Sequence, residues 1–322
     1  MEMTRIIRVG TRASALARTQ TELMVDRLRQ LGHAVEVELI TTQGDRRTDL
    51  KIAQIGSDGV FVRELERALL DNRIDAAVHS LKDLPTAETP GLALACVPLR
   101  GMPFDVLVAR TPTTLESLPV GAIVGTSSIR RVTQVKLLRP DLVVHGIRGN
   151  VDTRLRYLDA GDYDCLILAG AGLERLGLSQ RIMQILQPEA FWPAVAQGAL
   201  VIQIRADDDA LQRALKPLDD PATHRAVTAE RSCLKSLAGG CLAPIGAWAR
   251  VNAAGRLQLG ACVLEDCGQE IKKITIQKES EEEGVVYEPA QLGFRVAESL
   301  IFQGANAMLT RMRDGVSSSG MK

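Results

Sequence analysis

Short apolar, β-branched runs alternate with amphipathic stretches over roughly the first two-thirds of the chain. The runs predict strands at Ile6–Val9, Val35–Ile40, Asp75–Val78, Leu92–Val97, Val106–Ala109, Ala122–Val124, Leu142–His145 and Cys165–Ala169. The amphipathic stretches predict helices over Ser14–Leu31, with Leu16, Leu23 and Leu28 toward the core, and over Val60–Leu70. Strand–helix alternation of this kind implies parallel sheets built from βαβ units. A punctuated stretch from Pro98 to Pro103 reads as a crossing between two such units. After Pro221 the pattern changes. A long helix over Ala222–Leu237 leads to Gly239-Gly240-Cys241, strands follow around Gly246–Val251, Leu257–Leu264 and Ile271–Gln277, and helices resume from Pro289. Strands grouped beside helices suggest an α+β unit at this end.

A chain of 322 residues fits two or three domains at about 150 residues each. Basic and acidic residues balance at 39 each, which argues against a uniformly cationic nucleic-acid binder. Aromatic residues make up only 3%, leaving few platforms for stacking bases. The neutral total hides a local asymmetry: Ser117 to Arg156 carries seven basic residues against two acidic ones, while the stretch around Glu279–Glu283 is acidic. The six cysteines include no Cys-x-x-Cys pair and the four histidines are scattered, so no metal site is expected. With no apolar signal core at the start and no stretch long enough to span a bilayer, a cytoplasmic protein is the expectation.

Two strand-to-helix turns share one grammar: Gly10-Thr11-Arg12-Ala13-Ser14 and Gly125-Thr126-Ser127-Ser128-Ile129-Arg130-Arg131. Glycine permits the tight turn, serine caps the helix, and the free N–H groups with the helix dipole favour an anion. Arginine in a first helical turn is electrostatically unfavourable unless an anion sits there. The turn from Gly146 to Arg154, with Asn150 as cap, repeats the logic, and Arg148 and Arg154 could converge with Arg130 and Arg131. Several guanidinium forks in one cleft suit a ligand bearing several carboxylates or phosphates; a solvated basic helix face is the plainer alternative. His79-Ser80-Leu81-Lys82-Asp83-Leu84-Pro85 follows a strand, where α/β sheets open onto ligands. Asp83 is there either a carboxylate for a cationic intermediate or half of a surface pair with Lys82. Cys241, between Gly240 and Pro244, is a loop thiol that could serve as nucleophile or attachment point, whereas most free cysteines are inert core residues.

Together these stretches resemble the porphobilinogen deaminase family. The match includes Gly10–Ala17, Thr41–Asp45, Phe61–Glu66, His79–Pro85, Gly125–Arg131, Ile147–Val151, Ala196–Ala199 and Gly239–Gly246, in order. The resemblance implies two lobes like those of periplasmic binding proteins, with mixed sheets, and a smaller α+β C-terminal domain with an antiparallel three-stranded sheet. The implied division is 1–98 with 197–218, then 99–196, then 219–322. It also implies that Cys241 carries a dipyrromethane cofactor through a thioether. Four porphobilinogen units join head to tail onto this primer with loss of ammonia, and water then releases a linear tetrapyrrole. Asp83 matches the catalytic aspartate. Lys82, Thr126, Ser127, Ser128, Arg130, Arg131 and Arg148 match residues that hold the cofactor, and Arg12, Ser14, Arg154, Arg175 and Gln197 match the substrate site. The family leans monomeric.

One departure stands out. The family often has a lysine in the glycine-flanked loop before Phe61, and here Asp58 occupies that position with Gln54 also neutral; Arg46, Arg47 and Lys51 are the nearby cations. A non-catalytic, two-lobed anion-binding protein is the rival reading. It accounts for the helix-start anion sites but not for the Gly-Gly-Cys loop.

Overall fold

The computed structural model describes residues 5–40, 62–237, 243–268, 270–282 and 284–319, with side chains described as far as Met312. Three sheets organise them. The first holds β1 (Ile7–Thr11), β2 (Val35–Leu39), β3 (Ala76–Ser80), β4 (Leu92–Cys96) and a late strand, β10 (Leu200–Arg205), in the order β2-β1-β3-β10-β4. The second holds β5 (Asp105–Ala109), β6 (Ile123–Gly125), β7 (Val143–His145), β8 (Cys165–Ala169) and β9 (Ile182–Leu186), in the order β7-β6-β8-β5-β9. The third is antiparallel, built from β11 (Ile245–Val251), β12 (Leu257–Asp266) and β13 (Ile271–Glu279).

Alternation alone predicts parallel pairing, yet each five-stranded sheet is mixed. β1 runs parallel to β2 and β3, and β6 parallel to β7 and β8, but β10 and β5 are each antiparallel to both neighbours. These two strands follow the segments that cross between the sheets. Their direction is therefore set by where the chain re-enters, which no local pattern encodes. β9 and β10 are strands the apolar pattern left unmarked.

The helices are α1 (Ala15–Gln30), α2 (Arg63–Leu70), α3 (Ile129–Leu138), α4 (Val151–Ala160), α5 (Gly170–Arg175), α6 (Asp209–Leu215), α7 (Pro221–Ser236), α8 (Pro289–Phe302) and α9 (Ala305–Ser319). On α1 the buried face is Gln20, Thr21, Met24, Val25 and Leu28; Leu23 is 42% exposed and Leu16 only half-buried. Two polar residues shift that face. Gln20 Nε2 donates to Ser80 Oγ at 3.0 Å and Thr21 Oγ1 to Thr11 Oγ1 at 2.8 Å, so amide and hydroxyl pairs stand where Leu16 and Leu23 were expected. Met24, Val25 and Leu28 then pack on Ile7, Val9, Val78, Ile202 and Ile204 of the first sheet.

The crossing segments touch backbone to backbone, Gly101 N donating to Gly198 O at 3.1 Å. Gly198 has φ +86°, and a Cβ there would lie 2.6 Å from Gly101 O, so both conformation and space require glycine. Glu230 of α7 joins this crossing to the C-terminal sheet. Fully buried, it accepts from Arg100 Nη1 at 2.6 Å, from Ala196 N at 2.6 Å and from Ala249 N at 2.8 Å. A buried carboxylate with this many donors is satisfied rather than stranded. The acidic stretch also has partners: Glu279 and Glu281 face Arg256, and Glu282 faces Lys278 and Arg295. It is a solvated ion-pair network around a short hairpin.

His79, on β3 opposite Val201, is 6% exposed, and burial pushes its imidazole down to about 4, with Arg12 adding to the effect. The unfolded chain takes up this proton near 6.5, so the stability from keeping His79 neutral is present above that pH and is lost as pH falls toward 4. The loss amounts to about 3 kcal/mol. Thermal melting at pH 7 and pH 4.5 should show a clear drop for the parent chain and a much smaller one for His79→Gln. Equal drops would contradict this account.

Candidate functional site

β1 and β3 of the first sheet and β8 of the second all end at one cleft of about 430 Å³. On the first side, the turn after β1 presents Arg12 and Ser14. Ser14 caps α1, its Oγ accepting from Ala17 N at 3.3 Å. A 3₁₀ turn, Leu81–Asp83, follows β3. Its Leu81 is buried and donates its N–H to Ala199 O at 3.0 Å, which leaves Lys82 and Asp83 at the cleft wall. On the other side stand Arg131 of α3, the start of α4 with Asn150 and Asp152, then Arg154, and Arg175 at the end of α5.

Among the described residues the lining thus carries five cations (Arg12, Lys82, Arg131, Arg154, Arg175) and two carboxylates (Asp83, Asp152). Burial first, and like charge beside Lys82 and Arg154, show in the protonation equilibria. Burial, with Arg131 and Arg130 in support, pushes the Lys82 ammonium down to about 8 against the pull of Asp83 and Asp105. Burial and Arg131 also lower Arg154, and burial lowers Arg175. Bound carboxylates would relieve this repulsion, so a polyanion is the ligand class that fits. The dipyrromethane implied by the resemblance, which bears acetate and propionate groups, meets that test.

Not every expected residue lines this cleft. Gln197 is fully buried beneath it, accepting from Lys82 Nζ at 3.4 Å and donating to Pro103 O at 2.8 Å. Arg130 is buried behind the wall against Asp105 and Trp192 O. Thr126 is buried, its hydroxyl accepting from Ser128 N at 3.3 Å, and Ser128 stands at the N-terminus of α3 without a side-chain cap bond. Ser127 pins the loop by bonding both O and N of Ile147. Ser127 and Arg148 line a separate hollow of about 560 Å³ with His145, Tyr157 and Tyr163. Cys241 lies outside the described residues, as do Asp58, Gln54, Arg46, Arg47 and Lys51.

Asp105 was missed by the motif reading. Its one signal in sequence is an acid heading an apolar strand that also holds no other charge, Asp105-Val106-Leu107-Val108-Ala109. No group of metal ligands occurs among the described residues, and no helix among them is long and apolar enough to cross a membrane.

Comparison with known proteins agrees with the geometry. Residues 7–213 match the family model described as porphobilinogen deaminase, dipyromethane cofactor binding domain, and residues 224–301 match porphobilinogen deaminase, C-terminal domain. The chain is similar to porphobilinogen deaminases of Brevibacillus brevis (44% identity, covering 95% of this chain and 97% of the relative) and Roseiflexus castenholzii (46%, 94% and 97%). The Bacillus subtilis enzyme of that name is 38% identical over 99% of this chain and 100% of its own length. With a matched model spanning most of its length and relatives aligned nearly end to end, the chain belongs to the porphobilinogen deaminase family.

Proposed function

We propose that this protein is a hydroxymethylbilane synthase. It condenses four porphobilinogen molecules head to tail, with loss of ammonia, onto a dipyrromethane held at Cys241, and water then releases the linear tetrapyrrole. The observation that carries this reading is the cleft itself: five cations surround Asp83 at the meeting of two sheets. When bound, the dipyrromethane would supply the free pyrrole carbon to which the first unit is joined.

The chain's own residues do the rest. Lys82 and Arg131 would hold cofactor carboxylates, and Thr126, Ser127, Ser128, Arg130 and Arg148 support that side through the loops they pin or the charge they add. Arg12, Ser14, Arg154 and Arg175 would grip the acetate and propionate of incoming porphobilinogen, and Gln197 props Lys82 from below. Loss of ammonia leaves the substrate's methylene carbon electron-poor, with positive charge spread to the ring nitrogen. The Asp83 carboxylate can accept that ring N–H and offset the charge in a cleft where cations outnumber carboxylates. Because the Lys82 ammonium is held near 8, grip on carboxylates should weaken as pH rises beyond it.

The same reading makes the protein a cytoplasmic monomer that does not act on nucleic acid, in keeping with its zero net charge and few aromatics. We also propose the division 1–98 with 197–218, 99–196 and 219–322; each sheet draws its strands from one of these spans.

The test is the intact mass of the purified chain, with an acidic aldehyde reagent that colours α-free pyrroles. The expected result is an excess of two linked pyrrole units on the peptide containing Cys241, present as purified or after incubation with porphobilinogen. A chain that never gains this mass under either condition overturns the proposal.

A further inference from the structure

Asp105 heads β5, the first strand after the chain crosses into the second sheet, and it does not line the cleft. It is 0% exposed and its two oxygens are shared among three side chains. Oδ1 accepts from Arg131 Nε at 2.9 Å, from Arg131 Nη2 at 2.6 Å and from Gln197 Nε2 at 3.1 Å, while Oδ2 accepts from Arg130 Nη1 at 2.6 Å. Arg131 Nη1 donates to Ile167 O at 2.9 Å, so three of the guanidinium's five N–H bonds are used to aim it. Burial alone would raise Asp105, but Arg130 and Arg131 hold it well below the usual carboxylate range. Gln197 turns its other end to Lys82, which belongs to the first sheet's side of the cleft.

We infer that Asp105 is a positioning residue that fixes Arg131 directly and Lys82 through the Gln197 amide, so that one buried carboxylate sets the spacing of two cleft cations across the boundary between the sheets. The role assigned to those cations rests on the proposed function; the coupling among the four side chains does not. A carboxylate is needed because an amide could neither bind both arginines at full strength nor balance their charge behind Lys82. The groups facing Lys82 are Asp83 on its own turn, Arg130 and Arg131 from α3, Asp105 from β5 and the neutral Gln197. Removing the Asp105 charge leaves Asp83 alone against two arginines.

The experiment uses the full chain as purified. Lysines are reductively methylated with ¹³C-formaldehyde, and the Lys82 resonance, identified by its absence in Lys82→Arg, is titrated by NMR. In Asp105→Asn the midpoint should fall by roughly one pH unit relative to the parent, as for loss of one nearby opposite charge. The basic limb of porphobilinogen turnover should move down with it. Asp105→Asn leaves two buried guanidiniums short of a partner, and if it fails to fold, Gln197→Met decides. That variant keeps both ion pairs and removes the bridge together with the Gln197 bond to Pro103 O, and its Lys82 midpoint should fall in the same direction by a smaller amount. A merely structural Asp105 would change melting temperature and leave Lys82 where it was. Parent-like Lys82 midpoints in whichever of the two variants fold overturn the inference. Failure of the parent to load with porphobilinogen would overturn the proposed function instead, and would leave this titration just as readable.

Discussion

Asp83→Asn is expected to melt within a few degrees of the parent and to lose turnover by about 10²–10³-fold, the usual cost of deleting one group that stabilises developing charge. The side chain is exposed at the end of the 3₁₀ turn Leu81–Asp83, while the anchor of that turn is the buried Leu81 and its bond to Ala199 O. The substitution therefore leaves the local fold in place and removes only the negative charge. Asparagine can still accept a hydrogen bond, but it does not offset a cation. Asp83→Glu keeps the charge on a longer stem and should retain part of the activity. Steady-state product formation, compared at equal cofactor loading by intact mass, separates chemistry from loading. Near-parental turnover in the asparagine variant would remove Asp83 from the reaction.

Cys241→Ser is expected to yield a chain at its bare mass, with no thioether-bound pyrroles and turnover at background. A thiolate attacks an electron-poor methylene carbon, displacing ammonia, and the sulfur–carbon bond then persists; a serine hydroxyl at neutral pH is a far weaker nucleophile. The other cysteines cannot substitute. Cys96, Cys165, Cys233 and Cys262 are buried, and burial pushes each thiol up to about 12. Cys267 is exposed, but its thiol is also raised, by partial desolvation and by Glu265. Peptide mapping of the serine variant after incubation with porphobilinogen is the check. A two-pyrrole adduct on any residue of that variant would contradict the assignment of the attachment point.

Much of the frame was readable from local pattern. Strands predicted at Leu92–Val97, Leu142–His145 and Cys165–Ala169 are observed at Leu92–Cys96, Val143–His145 and Cys165–Ala169, because β-branched and apolar runs bounded by turn residues specify extended backbone locally. The helices at Ser14 and after Pro221 follow equally local signals, a serine cap in one case and an aspartate cap with proline in the first turn in the other. The turns that carry Arg12, Lys82 and Asp83 could be singled out because chemistry at strand ends is a rule of sheet architecture.

Other features had no local signal. Leu23 satisfies helical periodicity and still faces solvent, since the orientation of α1 is decided by Gln20 bonding Ser80 and Thr21 bonding Thr11, partners that meet only after the sheet forms. Arg130 and Arg131 are adjacent and look alike in sequence. Successive positions on a helix point about 100° apart, so Arg131 reaches the cleft while Arg130 is committed behind it to Asp105 and Trp192 O.

The sequence by itself determined most element types, though not β9 and β10, together with the change of pattern after Pro221, the family and the turns that bear the reactive groups, all of which rest on short-range propensity and contiguous motifs. The tertiary structure decided which of the basic residues share one cleft, that β5 and β10 run antiparallel within otherwise parallel sheets, and that Asp105 and Gln197 tie Arg131 to Lys82. Those outcomes depend on groups far apart in the chain competing for the same buried donors and acceptors, and only the packed fold settles which of them meet.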